Sequence, residues 1–158
     1  MVIKKNLNDT INMFVKLLKP SNVEWVLDND VFYYINKMKK RCSESVVDIT
    51  ARENCYAFFS SPTDVARIES RTFICSSSYA GNTNNAWNIN ECFKEIMSRM
   101  RNVMVGRTMY IIPFCLGTIG SKYAKYGIQI TDSEYACINM QIMCRTGQAV
   151  MDATDDYD

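Results

Sequence analysis

At 158 residues, with 18 basic against 17 acidic side chains and a formal net charge of +1, the chain suits one domain and is short for two. Apolar residues make up 47% and charged residues 22%, so a chain this long can bury about 68–70% of its unfolded surface around a genuine core. The charge balance gives no prior for nucleic acid or an acidic membrane surface, and the lack of histidine excludes Ser-His-Asp and Cys-His catalysis, leaving Asp, Glu, Lys, Tyr or Cys as general base.

The opening "MVIKKNLNDT" has no apolar core of the kind a secretory signal needs and is not an Arg/Ser-rich transit segment. Asn8 or Asp9 is a candidate helix cap; Leu7, Ile11, Phe14, Val15 and Leu18 follow helical spacing, and Pro20 ends the helix. "NVEWVLD" (22–28) alternates and reads as a short strand, although Ser21 and Glu24 also fit a capping box, which keeps helix as the competing reading. "NDVFYYINKMKKR" (29–41) reads as a helix with Asp30 near its start and a basic cluster at its end, both favourable to the macrodipole. "SVVDI" (45–49), "CYAFF" (55–59) and "RTFICS" (71–76) read as strands, with "SSPTDVARIES" (60–70) a turn-rich connection. "SSYAGNTNNAWN" (77–88) reads as a polar, mobile loop.

"INECFKEIMSRMR" (89–101) places Ile89, Phe93, Ile96, Met97 and Met100 on one helical face, read as a core face. "RTMYIIPF" (107–114) is a strand. "KYGIQIT" (125–131) and "YACINMQIM" (135–143) read as two strands joined by a hairpin at Asp132-Ser133, and "GQAVMDATDDYD" starts a helix. Helices and strands interleave without a repeat or linker. The expected fold is therefore α/β or α+β: a mixed β-sheet with helical cover, residues 1–158 forming one domain.

Seven cysteines, at 42, 55, 75, 92, 115, 137 and 144, are irregularly spaced with no CxxC pair. They are expected to be reduced and mostly buried, in a cytoplasmic protein, and not to hold a metal. No window approaches 18 apolar residues, so no membrane partner is expected.

Two stretches raise a question of chemistry. In "GRTMYIIPFCLGTIGS" (106–121) the glycine half, followed by Lys122, could form an anion nest. It matches neither the P-loop nor the dinucleotide fingerprint, and a tight loop between strands with glycines at positive φ is the favoured reading. In "DVARIES", Arg67 could present its planar fork to a carboxylate, yet on residue chemistry alone a surface arginine paired with Asp64 or Glu69 is the better account.

"NCYAFFSSPTDVARIESRTFIC", "GRTMYIIPFCLGTIGS" and "KYGIQITDSEYACINMQIMCRTG" lie in this order with apt spacing, preceded at the second by a Trp-led helix carrying Trp87, Glu91 and Phe93. Together they resemble the N-terminal domain of GTP-dependent phosphoenolpyruvate carboxykinase, over about residues 9–150 and more weakly through "KPSNVEWVLD". The resemblance implies the N-terminal lobe of an enzyme, a carboxy-lyase of gluconeogenesis, that converts oxaloacetate and GTP to phosphoenolpyruvate, carbon dioxide and GDP with manganese or magnesium. It implies that Arg67 binds the substrate carboxylate and that Glu69 supports lid closure. It makes the opening glycine stretch a strand and turn of the lobe rather than the nucleotide loop. Thr118 and Glu134 stand where the family usually has proline, read as altered turn rigidity. The family's P-loop, metal ligands and guanine pocket have no counterpart here. This chain by itself is thus expected to bind neither GTP nor metal, to hold no catalytic residue, and to be inactive alone. Expected partners are oxaloacetate or phosphoenolpyruvate, weakly, and a C-terminal lobe or full-length homologue. The alternative is a catalytically inactive remnant lobe acting as an interaction module.

Overall fold

The computed structural model describes residues 7–60, 68–77 and 85–153. Its axis is the longest strand. The elements, in chain order, are α1 (Leu7–Leu18), β1 (Asn22–Trp25), α2 (Val31–Arg41), β2 (Val46–Asp48), β3 (Tyr56–Phe58), β4 (Ile74–Ser76), β5 (Ala86–Asn88), α3 (Ile89–Met100), β6 (Thr108–Leu116), β7 (Lys125–Thr131), α4 (Glu134–Met143), β8 (Arg145–Thr146) and α5 (Gln148–Asp152), with 3-10 turns at Ser43–Ser45 and Glu69–Arg71. The fold is α/β, with a mixed sheet under helices.

Residues Met109 to Pro113 of β6 are all buried. A strand apolar on both faces must be covered on both. Met109 and Ile111 face a layer with Ile11 and Leu18 of α1 and with Met104. Tyr110 and Ile112 face the opposite layer, with Tyr34, Ile35 and Met38 of α2 and Cys137 and Ile138 of α4. The two sets alternate along the strand as the period of two requires. One edge of β6 pairs parallel with β1, Asn22 opposite Thr108 through Trp25 opposite Ile111. The other pairs antiparallel with β7. Further along, β8 pairs antiparallel with Phe114 and Cys115. Pro113, which has no N–H to donate, falls in the step between the end of β1 and the start of β8. Its carbonyl accepts from Gly147 N at 3.3 Å.

β2 and β3 form an antiparallel pair that adds Val46 to the α2 layer, with Tyr56 and Phe58 packed against it. β4 and β5 form a separate parallel pair. Gly117 and Gly120, at φ +93° and +78°, turn β6 into β7, which answers the question raised by the glycine half: it is a turn between strands.

Four readings are corrected. Residues 135–143 are helix, not strand: the Ser133 hydroxyl accepts from Ala136 N at 3.4 Å as N-cap, and the buried residues Glu134, Cys137 and Ile138 recur at helical spacing. So no hairpin forms at Asp132-Ser133. The loop expected over 77–88 contains strand β5, while 78–84 lie outside the described residues. The strand expected from residue 71 begins at Ile74, after the 3-10 turn. Finally, the apolar face of α3 reaches the core only at its end, where Met100 packs against the α1 layer and Met97 is half-buried. Ile89, Phe93 and Ile96 are 45%, 63% and 47% exposed, and the buried residue of that helix is Cys92.

All seven cysteines are free thiols, but only Cys92, Cys115 and Cys137 are buried; Cys42 and Cys75 are exposed. No described helix is long and apolar enough to cross a membrane.

Candidate functional site

Arg67, the residue expected to meet a substrate carboxylate, lies outside the described residues. Glu69 is described. It begins the Glu69–Arg71 turn and is exposed. Its carbonyl accepts from Thr72 N at 3.1 Å and from the Asn85 side-chain amide at 2.7 Å. Asn85 also donates to the Thr72 carbonyl at 3.2 Å, and the Thr72 hydroxyl to the Ile68 carbonyl at 2.8 Å. The turn that carries Glu69 is therefore tied at both ends to the start of β5.

The clearest convergence of charge lies elsewhere, where the end of α2 meets the start of α4. Arg41 holds Glu134 by two bonds, Nε to Oε2 at 3.0 Å and Nη2 to Oε2 at 2.8 Å, and Tyr110 donates to the other carboxylate oxygen at 3.2 Å. Glu134 is buried, with its side chain only 8% exposed, whereas Arg41 is 59% exposed. Behind it, Lys37 donates to Glu24 at 2.8 Å and lies over the rings of Tyr33 and Tyr110. Burial opposes the Lys37 charge, but hydrogen bonds to Glu24 and Tyr110 outweigh it and hold its pKa above the usual lysine value. Burial pushes the Tyr110 hydroxyl up from 10.0 to about 12, and the Cys137 thiol from 9.0 to about 12.

Two open cavities share Arg41 and Ser133. One, of about 260 Å³, is lined by Met38, Ser45, Phe58, Phe59, Ser60 and Tyr135 as well; the other, of about 460 Å³, adds Gly106, Arg107, Thr108, Asp132 and Glu134. Ser60, the last described residue before 61–67, lines the smaller cavity. Glu69 lines neither. Arg107 pairs with Asp132, so each arginine at these cavities is already matched by a carboxylate. Such a surface can position a polar group but offers no spare strong anion site.

Reading the sequence left Arg41 as part of a solvated helix end and Glu134 as a turn substitution. The structure puts them together. Glu134 is the first residue of α4, where proline also fits because its missing N–H is unpaired there anyway. The replacement therefore leaves turn rigidity aside and adds a buried carboxylate. The signal available was an acidic residue immediately after a capping serine. Among the described residues no group of three or more His, Cys, Asp or Glu side chains converges to hold a metal.

A profile described as the phosphoenolpyruvate carboxykinase N-terminal domain matches residues 9–158. Among similar proteins, the phosphoenolpyruvate carboxykinase (GTP) of Treponema pallidum is 42% identical over 146 residues, 90% of this chain and 24% of that protein. That of Neocallimastix frontalis is 37% identical over 156 residues, 96% and 26%. That of Corynebacterium glutamicum is 49% identical over 104 residues, 64% and 17%. The chain thus spans about a quarter of the length of the first two relatives.

Proposed function

This chain belongs to the phosphoenolpyruvate carboxykinase N-terminal domain family, and we propose that it serves as the N-terminal lobe of a GTP-dependent carboxykinase acting on oxaloacetate and phosphoenolpyruvate in the cytoplasm. The observation that carries the reading is the match over residues 9–158, which includes the "DVAR" segment. In this role Arg67 binds a substrate carboxylate. A guanidinium presents two parallel donors to a planar carboxylate, where lysine presents a point charge. Glu69 supports the closed state; its turn is anchored through Asn85, which suits a residue that must hold position. GTP and a divalent ion would be held by polypeptide beyond this lobe, and the chemistry they supply is phosphoryl transfer by positioning and charge neutralisation.

Alone, the lobe would offer the substrate the Arg67 ion pair without the rest of the cleft, and an exposed ion pair contributes about 0–1 kcal/mol. Oxaloacetate or phosphoenolpyruvate should bind at millimolar concentration or weaker, and less well to Arg67→Lys. NMR titration of the Arg67 side chain tests this. Shifts confined to Lys37–Arg41 would defeat the assignment. In a coupled assay with oxaloacetate, GTP and Mn²⁺ the chain alone should show no turnover.

One observation favours a second reading, an interaction module: Ile89, Phe93 and Ile96 of α3 stand exposed in a row at helical spacing. Mixing the chain with a full-length phosphoenolpyruvate carboxykinase (GTP) and following co-elution distinguishes the two, since the module reading requires a complex.

A further inference from the structure

We propose that the open cavity where the end of α4 and β8 meet the connection from β1 to α2 binds a small 2-hydroxycarboxylate. The cavity measures about 350 Å³, and its polar lining is Asn29, Gln141, Arg145 and Thr146. Its walls are tied together by the fold itself. β8 pairs with β6, Arg145 opposite Cys115 and Thr146 opposite Phe114. The buried Thr146 hydroxyl donates to Asn29 Oδ1 at 2.8 Å, and Gln148 N donates to the Leu27 carbonyl at 2.9 Å. The segment that follows β1 is thereby fixed to the segment that follows β8.

Two side chains give this cavity its ligand chemistry. Arg145 has no carboxylate partner among the described residues, unlike Arg41 and Arg107, and no acidic residue lines the cavity with it. Asp28 and Asp30 flank Asn29 in sequence, but neither lines the cavity, and Asp30 is engaged as the cap of α2. An unmatched guanidinium presents parallel donors that suit a planar carboxylate. Gln141, in the last turn of α4, is the second. Both polar atoms of its amide are buried with no hydrogen-bond partner among the described residues. An unpaired buried amide is costly, so a ligand that answers both atoms gains by relieving that cost. A 2-hydroxycarboxylate does so once the flexible side chain turns its amide to the cavity. The hydroxyl donates to Oε1, one carboxylate oxygen accepts from Nε2, and the other carboxylate oxygen is left for Arg145. Val31 and Ile142 offer apolar surface to a short carbon chain. The proposal stands apart from the carboxykinase reading, since it needs neither Arg67 nor a C-terminal lobe.

The test is an NMR titration of the full, isotope-labelled chain with 2-hydroxybutyrate, following the Arg145 Nε–H and the Gln141 side-chain amide, with butyrate and inorganic phosphate for comparison. Both signals should shift saturably with 2-hydroxybutyrate. Arg145→Gln should weaken binding by about tenfold or more, as losing a charged hydrogen-bond partner does. Arg145 is exposed, so this variant should keep the fold, and an unchanged backbone amide spectrum checks that it does. Gln141→Met, which keeps the length of the side chain, should bring 2-hydroxybutyrate down to the affinity of butyrate. Arg67 gives its own Nε–H signal, so failure here is distinct from failure of the carboxylate assignment there. The absence of a saturable shift, binding that is unaffected by Arg145→Gln, or phosphate that matches 2-hydroxybutyrate overturns the proposal.

Discussion

Glu134 shows how much one side chain can depend on its partners. A carboxylate this buried is tolerated because Arg41 and Tyr110 bond both its oxygens. Arg41→Ala should cost about 1–3 kcal/mol, the range for losing hydrogen bonds to a charged group, moderated because Arg41 itself is exposed. Pairing it with Glu134→Gln should recover part of that loss, and a double-mutant cycle by urea denaturation measures the coupling. The same cluster sets the response to alkali. Tyr110 and Cys137 both titrate near 12 in the folded chain against usual values of 10.0 and 9.0. Between those limits the folded state binds more protons than the unfolded, so stability must fall as pH rises. Thermal melts should therefore hold below pH 9 and drop steadily from about pH 9 to 12. None of this was legible beforehand. Arg41 and Glu134 are 93 residues apart, and neither has a local pattern that announces the other.

At the scale of elements, the amphipathic pieces were readable. α1 and α2 carry apolar spacing, and Asp30 caps α2 by accepting from Tyr33 N at 3.0 Å. α4 was not readable, because "YACINMQIM" is apolar nearly all round: it buries Cys137 and Ile138 while leaving Ile142 and Met143 exposed. With no polar face, periodicity cannot separate a buried helix from a strand. The decisive signal was Ser133, taken for a turn residue. Ser133→Ala should lower stability by about 0.5–2 kcal/mol, as loss of an N-cap does, with the change read from the urea midpoint. Gly147 is a second fixed point, at the entrance to α5. It holds φ +87°, and a Cβ there would collide with the Leu27 carbonyl. Gly147→Ala should cost more than the Ser133 change, since neither the backbone angle nor the space admits it.

For the whole molecule, "RTMYIIPF" was readable as a strand and the family motifs placed most of the chain, while the cover on both faces of β6 shows only in its burial. Which faces would stay open was not readable. Helical spacing says that α3 has an apolar stripe, not that anything within the lobe covers it. Phe93→Asp should change stability by no more than about 0.5 kcal/mol, because the ring is exposed, while weakening any complex with a full-length relative. Analytical ultracentrifugation reads both the monomer and the complex. The parallel pairing of β1 with β6 carries a consequence in time. Asn22 meets Thr108 across 86 positions of chain, and Trp25 meets Ile111 across the same span. A ribosome delivers β1 long before the strand that receives it, so the nascent polypeptide must carry α1 and β1 unpaired until more than a hundred residues have emerged. The β1–β6 seam and the α1 layer over it can close only late, and the interval before that is when a chaperone would find the bare apolar stripe of α1.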